Sequence, residues 1–203
     1  MKHQKHFTKA LVASFSVSML LAAAGPSAQD ISKYDADSQY RIAKTHINLN
    51  NDYAQAFPWL KAAAESGHAT AQCALALFYM NGVVVKQNEA EAIKWYRAAA
   101  YQGSTYGQSR LGDIYANKQD DQTAIEWYTK AAEAAQPDIY AQRQLGLLHL
   151  DGTITPPDLT KGLALLEAAA NQDDTTAQCV LGLILTGMEP RLSSQVPLNC
   201  EEG

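Results

Sequence analysis

Cysteine is scarce in this 203-residue chain, and the three that occur, Cys73, Cys179 and Cys200, sit far apart. No pair has the short spacing of a zinc site. The histidines beyond the N-terminal segment, His46, His68 and His149, are scattered, and none has a second His or Cys at helical spacing. No metal or other cofactor is therefore expected. Charge is also sparse: 18% of residues are charged, with 16 basic against 21 acidic and a net charge of −5. A chain with this balance lacks the cationic field that nucleic acid requires. There is no G-x-S-x-G, no S-x-x-K, no glycine-rich phosphate loop and no H-E-x-x-H, so the common hydrolase and nucleotide-binding signatures are missing. The adjacent acids Asp120–Asp121 and Asp173–Asp174 fall at probable helix starts, where carboxylates act as caps. No segment alternates with the period of two that a half-buried strand needs.

Long apolar runs are absent with one exception. Lys2, Lys5 and Lys9 precede an uncharged stretch from Ala10 to Ala24, followed by Gly25 and Pro26. This is the pattern of a secretory signal peptide, with cleavage expected after Ala24 or, as a second choice, Ala28. The run is shorter than the ~20 residues of a spanning helix. No cysteine follows that could accept a lipid. Removal of residues 1–24 leaves 13 basic and 21 acidic side chains, and the mature chain is expected to be periplasmic or secreted, without a stable membrane anchor. In an oxidising compartment three cysteines leave one over. Cys179 and Cys200 could close a short loop, but spacing alone does not choose among the three pairings.

What the sequence has in abundance is repetition. "AIKWYRAAA" (Ala92–Ala100) returns as "AIEWYTKAA" (Ala124–Ala132). Leu75, Leu111, Leu145 and Leu181 align at intervals of 36, 34 and 36 residues, and Trp59, Trp95, Trp127 and Leu165 at 36, 32 and 38. Two interleaved series of nearly equal period define a two-part unit. Ala71, Leu75 and Tyr79 draw an apolar stripe at helical spacing in the first part, and Ile93, Tyr96 and Ala100 do so in the second. Gly67 and Gly103 suit helix C-termini, Pro137 a first helical turn, and Asn88, Asp121 and Asp158 N-caps. Asn81–Asn88 and Asp151–Asp158 are the long loops; Asn50–Asn51 and Lys118–Asp120 are the short ones. Pro58 inside a second helix should cost about 3 kcal/mol or force a kink.

A pair of helices this short cannot bury its stripe alone, so successive pairs must stack. The expected fold is all-α: a right-handed superhelical stack of antiparallel helix pairs over residues 34–187, about four pairs plus a terminal helix near Thr175–Gly187. Residues 188–203 form a C-terminal tail. Trp95 and Trp127 are expected in the core. Ala76, Gly112, Gly146 and Gly182 mark close helix approach.

The unit "AQCALALFYMNGVVVKQNEAEAIKWYRAAAYQG" (Ala71–Gly103) resembles the Sel1-like repeats, relatives of the tetratricopeptide repeat. Ala76 replaces the glycine of the pattern, His149 and Leu185 replace its tyrosine, and Leu165 its tryptophan. The resemblance implies a non-enzymatic scaffold or adaptor for a protein or peptide partner. On such a superhelix the face of the first helices opposite the leucine stripe lines a groove. The groove candidates are Leu77, Asp113, Arg143 and Leu147, with Gln72, Gln108 and Gln142 beside them as an amide ladder. Cys73, Ser109, Cys179 and Leu183 share that face. Charge reversal at Asp113 and Arg143 is expected to abolish binding without loss of stability. The alternatives are a β-lactam-binding or hydrolysing enzyme, as regarded for cysteine-rich relatives whose paired cysteines this chain lacks, and a secreted effector or virulence factor.

Overall fold

The computed structural model describes residues 26–151 and 158–185, and every regular element among them is a helix. A short turn of helix, α1 (Ala28–Ile31), precedes α2 (Ala36–Asn50), α3 (Tyr53–Glu65), α4 (Ala69–Asn81), α5 (Glu89–Tyr101), α6 (Thr105–Asn117), α7 (Asp121–Ala132), α8 (Ile139–Asp151), α9 (Leu159–Ala170) and α10 (Thr175–Leu185). The chain separates into two compact units, with the division between Glu89 and Ala90. Four helix pairs and a single last helix agree with the count expected from the repeat. The segment expected to be a signal peptide, residues 1–24, and the expected tail, residues 188–203, lie outside the described residues. So does Cys200, one of the candidate mates of Cys179; Cys179 itself is disulfide-bonded, and Cys73 is a buried thiol.

The breaks fall where backbone chemistry puts them. Asn51 closes α2 at φ 50°, Gly82 closes α4 at φ 68°, and Gly67 and Gly103 follow α3 and α5 at φ 92° and 88°. These are left-handed angles that glycine, and next to it asparagine, adopts at least cost. Starts are set by side chains accepting from the third residue on. Asp35 accepts from Ser38, Asp52 from Gln55, Ser104 from Gly107 and Asp158 from Lys161. Two expected starts shift. The cap of α7 is Asp120, accepting from Thr123 N, because Asp121 already has helical geometry as the first residue. Pro137 stands one residue before the cap Asp138, whose carboxylate accepts Ala141 N–H at 2.8 Å, rather than in the first turn of α8.

Pro58 lies inside α3, and the helix runs through it. Its missing N–H leaves one rung of the ladder unmade. Burial of Ala56, Trp59, Leu60, Ala63 and Ala64 on the same helix offsets that loss, since a fully buried large apolar side chain contributes about 1.5–3 kcal/mol.

The joint between a second helix and the next first helix is built the same way three times. After α3, His68 N–H bonds Ala63 O at 3.0 Å and the Gln72 amide donates to Ala64 O at 3.1 Å. After α5, Ser104 N–H bonds Ala99 O and Gln108 donates to Ala100 O. After α9, Asp174 N–H bonds Ala169 O and Gln178 donates to Ala170 O. Each of these carbonyls also accepts the N–H of the residue three further on (Gly67, Gly103 and Asp173), so the amide adds a second hydrogen bond at a helix end whose regular ladder has stopped. Gln39 does the same for Ile31 O ahead of the first pair. The glutamine always follows its acceptor by eight residues. Between α7 and α8, two extra residues put Gln142 ten beyond Ala132, and its amide oxygen instead accepts from Gln172 at 2.9 Å.

Inside the second unit, Ala124, Tyr128, Ala131, Ala132, Ala141 and Leu145 form one buried cluster, and Leu166, Ala169, Ala177 and Val180 the next. The small residues let helices meet. A Cβ on Gly112 would stand 2.5 Å from Tyr128 Cε1, and one on Gly146 would stand 3.0 Å from Leu166 Cγ. The repeated Trp-Tyr pair divides its labour otherwise than expected. Tyr96 and Tyr128 are 1% and 3% exposed. Trp127 is buried too, but Trp95 is only half-buried, with Lys94 Nζ 5.4 Å from the centre of its ring. The tyrosine is the deeper member because it follows Ala92 and precedes Ala99 and Ala100 on the buried stripe.

Truncating Tyr96 to alanine should destabilise the chain by roughly 3–5 kcal/mol in urea unfolding, and Trp95→Ala by clearly less. Gly112→Ala should cost about 1–3 kcal/mol, since the Tyr128 ring has to move from a packed site. A melting curve unchanged by Gly112→Ala would refute the close approach.

Candidate interaction surface

The first helices α6 and α8 carry a connected set of polar and aromatic side chains. Asp113 is its centre. Its Oδ1 accepts from the Tyr128 hydroxyl at 2.7 Å and from the Tyr140 hydroxyl at 2.8 Å, and its Oδ2 pairs with Arg110 Nη1 at 3.0 Å. The Tyr140 oxygen accepts in turn from Gln144 Nε2 at 2.7 Å. The guanidinium of Arg110 lies 5.2 Å from the Tyr106 ring centre and 4.8 Å from that of Tyr140, and Arg143 lies 5.0 Å from Tyr140. The order Tyr106, Arg110, Tyr140, Arg143 is an alternating aromatic–cation ladder across two helices. Burial, reinforced by the Asp113 carboxylate, pushes the Tyr128 phenol far above its usual range. Burial also raises Tyr140. Both are fixed as neutral donors to the carboxylate.

Arg143 reaches further along the chain. Its Nη1 bonds Asp174 Oδ2 at 2.9 Å and Oδ1 at 3.2 Å, while Oδ1 also accepts Ala177 N–H at 2.8 Å. Asp174 therefore caps α10 and anchors α8 at once. With side chains only 19% and 12% exposed, removing one partner would strand a part-buried charge, a larger loss than breaking a surface ion pair, for which the median is about 0–1 kcal/mol. The cap expected at Asp174 is present and part-buried, because its carboxylate pairs with Arg143.

A model of the Sel1 repeat matches residues 36–68, 69–104, 105–135 and 139–174. The chain belongs to the Sel1 repeat family. Each match begins on a first helix and ends at a joint. Among curated proteins nothing matches. Among solved structures, c5321, described as a protective antigen present in uropathogenic Escherichia coli strains and displaying an SLR fold, is 32% identical over 75% of this chain, with a TM-score of 0.69. The chain spans about a third of that protein, 34%. A Sel1 repeat protein of Oxalobacter formigenes is 24% identical, covering 81% of this chain and 69% of its own, with a TM-score of 0.71, and is similar in fold. A Klebsiella pneumoniae subsp. pneumoniae protein assigned to the Sel1 repeats is 26% identical over 73% of this chain and 74% of its own, with a TM-score of 0.52.

In this Sel1 chain the groove residues expected from the sequence have distinct placements. Gln72, Gln108 and Gln142 are 5%, 9% and 7% exposed; the amides of Gln72 and Gln108 serve the joints, and Gln142 accepts from Gln172. Cys73 and Ser109, on the face expected to open outward, are buried, and Ser109 Oγ donates to Thr105 O. Asp113 and Arg143 come together around Tyr140. Leu147 packs partly buried against Leu166 and its neighbours, and Leu77, in the other unit, is half-buried on α4. Tyr106, Arg110 and Tyr140 are not distinguished by the sequence pattern. Their signal, an aromatic residue four before Arg110 and three before Arg143, reads as ordinary helix polarity until the partners across the pair are known. His149 stands where Tyr79 and Tyr115 stand in earlier repeats. Its Nδ1 is buried without a hydrogen-bond partner, and burial together with nearby Lys161 lowers its pKa, against a smaller opposing effect of Asp158.

The expectation that charge reversal at Asp113 would leave stability intact does not fit this network, because the carboxylate is the acceptor for a buried phenol, Tyr128, and a half-buried one, Tyr140. Asp113→Ala should cost about 1–3 kcal/mol in urea unfolding through the stranded donors, with Asp113→Asn between it and the parent. His149 gives a pH signature. Above the ordinary imidazole range both folded and unfolded chains hold it neutral. As pH falls through that range the unfolded chain takes up a proton that the folded one resists, so stability declines. His149→Tyr should flatten the fall in melting temperature between neutral pH and the mildly acidic range; an identical fall in both proteins would refute the burial argument.

Proposed function

We propose that this Sel1 chain is a non-enzymatic scaffold that binds a protein or peptide partner over the ladder of Tyr106, Arg110, Tyr140 and Arg143. One observation carries the reading. Tyr106 stays 41% exposed on a first helix and Arg110 32%, although both belong to an ordered stack. Ordered aromatic and arginine side chains lose little entropy on association and dominate binding energies where they occur. Asp113 and Arg143 hold the ladder in place, Leu147 borders it, and Leu77 occupies a similar position on α4. Family membership supports a scaffold, since a stacked repeat presents surface rather than an enclosed pocket.

The proposed setting is the periplasm or the medium. A cationic, then apolar N-terminal segment ending at Ala24 supports export, and the mature protein would comprise the repeats of residues 34–187 and the tail of 188–203. No helix among the described residues is long and apolar enough to cross a membrane. N-terminal sequencing of protein recovered from periplasmic and culture fractions should show processing after Ala24 or Ala28.

A photo-crosslinking residue at position 106 should capture a partner in the native cell, and one at exposed Glu126 on second helix α7 should not. Tyr106→Ala should lose the partner with its melting temperature within about 2 °C of the parent, because an exposed side chain away from the core changes stability by less than about 0.5 kcal/mol. Equal crosslinking from both positions would sink the assignment of this face.

A further inference from the structure

We infer that the ladder takes a carboxylate-rich segment of its partner, an acidic peptide held by the guanidinium and amide N–H groups of Arg110, Arg143 and Gln144. The inference rests on the surface proposed for partner binding and adds the chemistry of what binds there. It comes from an inventory of donors and acceptors. The anionic acceptors and the Tyr140 oxygen are engaged inside the chain: Asp113 receives two phenols and a guanidinium, Asp174 receives Ala177 N–H and Arg143, and the Tyr140 oxygen receives Gln144. The donors are not used up. A guanidinium has five N–H groups. Within the cluster Arg110 and Arg143 each bond through Nη1 alone; Arg110 Nε is buried, and the guanidinium N–H groups left for a partner are the terminal ones. What the cluster lacks is acceptor oxygen.

Carboxylates supply that oxygen in the geometry a guanidinium fork prefers, and charge-assisted bonds of this kind are about twice as strong as neutral ones. The rings of Tyr106 and Tyr140 keep the forks flat and in place, so little order remains to be imposed on binding. The net charge of −5 repels an acidic segment at long range. Discrimination must therefore come from contact, where salt screens the distant charges but not a bidentate pair. A cationic partner meets the opposite difficulty, since Asp113 and Asp174 would have to release partners they already hold.

Three fluorescein-labelled peptides of about twelve residues, alternating serine with glutamate, glutamine or lysine, test the inference by polarisation against the mature full chain. The glutamate peptide should bind at least about tenfold more tightly than the glutamine peptide, with the lysine peptide weakest, a spread of about 1.4 kcal/mol or more. Arg110→Gln should erase the difference between glutamate and glutamine peptides. Tyr106→Ala, where no folding loss is expected, should weaken the glutamate peptide several-fold. Equal or tighter binding of the glutamine or lysine peptide overturns the carboxylate preference while leaving the surface in place. Absence of binding by all three also overturns it, and if position 106 fails to crosslink in cells as well, the surface reading falls with it.

Discussion

A helix end exposes carbonyls that nothing inside the helix can satisfy, and a chain of short helices must solve that problem at every turn. Here the solution is a glutamine placed one turn into the following helix. Its amide reaches back eight residues to the last carbonyls of the preceding helix, and the backbone N–H of the preceding cap takes another. The arrangement explains three recurring features together. Two alanines end the second helix because the carbonyls being capped must lie close to the next helix. A residue with φ > 0 follows α3 and α5 because the chain must turn at once. Gln39, Gln72 and Gln108, polar as they are, stay 4%, 5% and 9% exposed because their amide N–H groups donate inside the fold, while the oxygens of Gln39 and Gln108 are buried without a hydrogen-bond partner.

Periodicity disclosed the helices, their pairing, the terminal helix and the family, because stripe spacing and turn residues are local properties. The joints at Gly67 and Gly103 were legible for the same reason. What stayed hidden is what depends on partners distant in sequence. Asp113 is an unremarkable acid until Tyr128 and Tyr140, 15 and 27 residues later, converge on it. The glutamine series is visible as a series, but its direction is not: it turns inward to the backbone instead of lining a groove. The relative depth of Trp95 and Tyr96 is hidden too, since both satisfy a helical stripe and only the neighbouring helix decides between them.

The candidate surface follows from the same economy. Second helices α5 and α7 bury Tyr96, Trp127 and Tyr128, while first helices α6 and α8 carry Tyr106 and Tyr140 to the boundary, where they alternate with arginines. Rigidity and exposure are ordinarily in tension, because an exposed long side chain is free to wander. Stacking against rings resolves it. A scaffold whose contact residues are already ordered can discriminate between partners by hydrogen-bond chemistry rather than by adjusting its shape.

The two-residue insertion ahead of α8 shows what such a chain can change over time. At that junction Asp138 N–H still bonds Ala131 O at 3.0 Å, Gln142 turns instead to Gln172 beyond the end of α9, and α7 and α8 still share a buried cluster. Spacers between neighbours can therefore be lengthened while the backbone bond of the joint is kept, whereas the rods they separate cannot lose a residue without rotating the apolar stripe out of register. Drift in length should accumulate in the spacers.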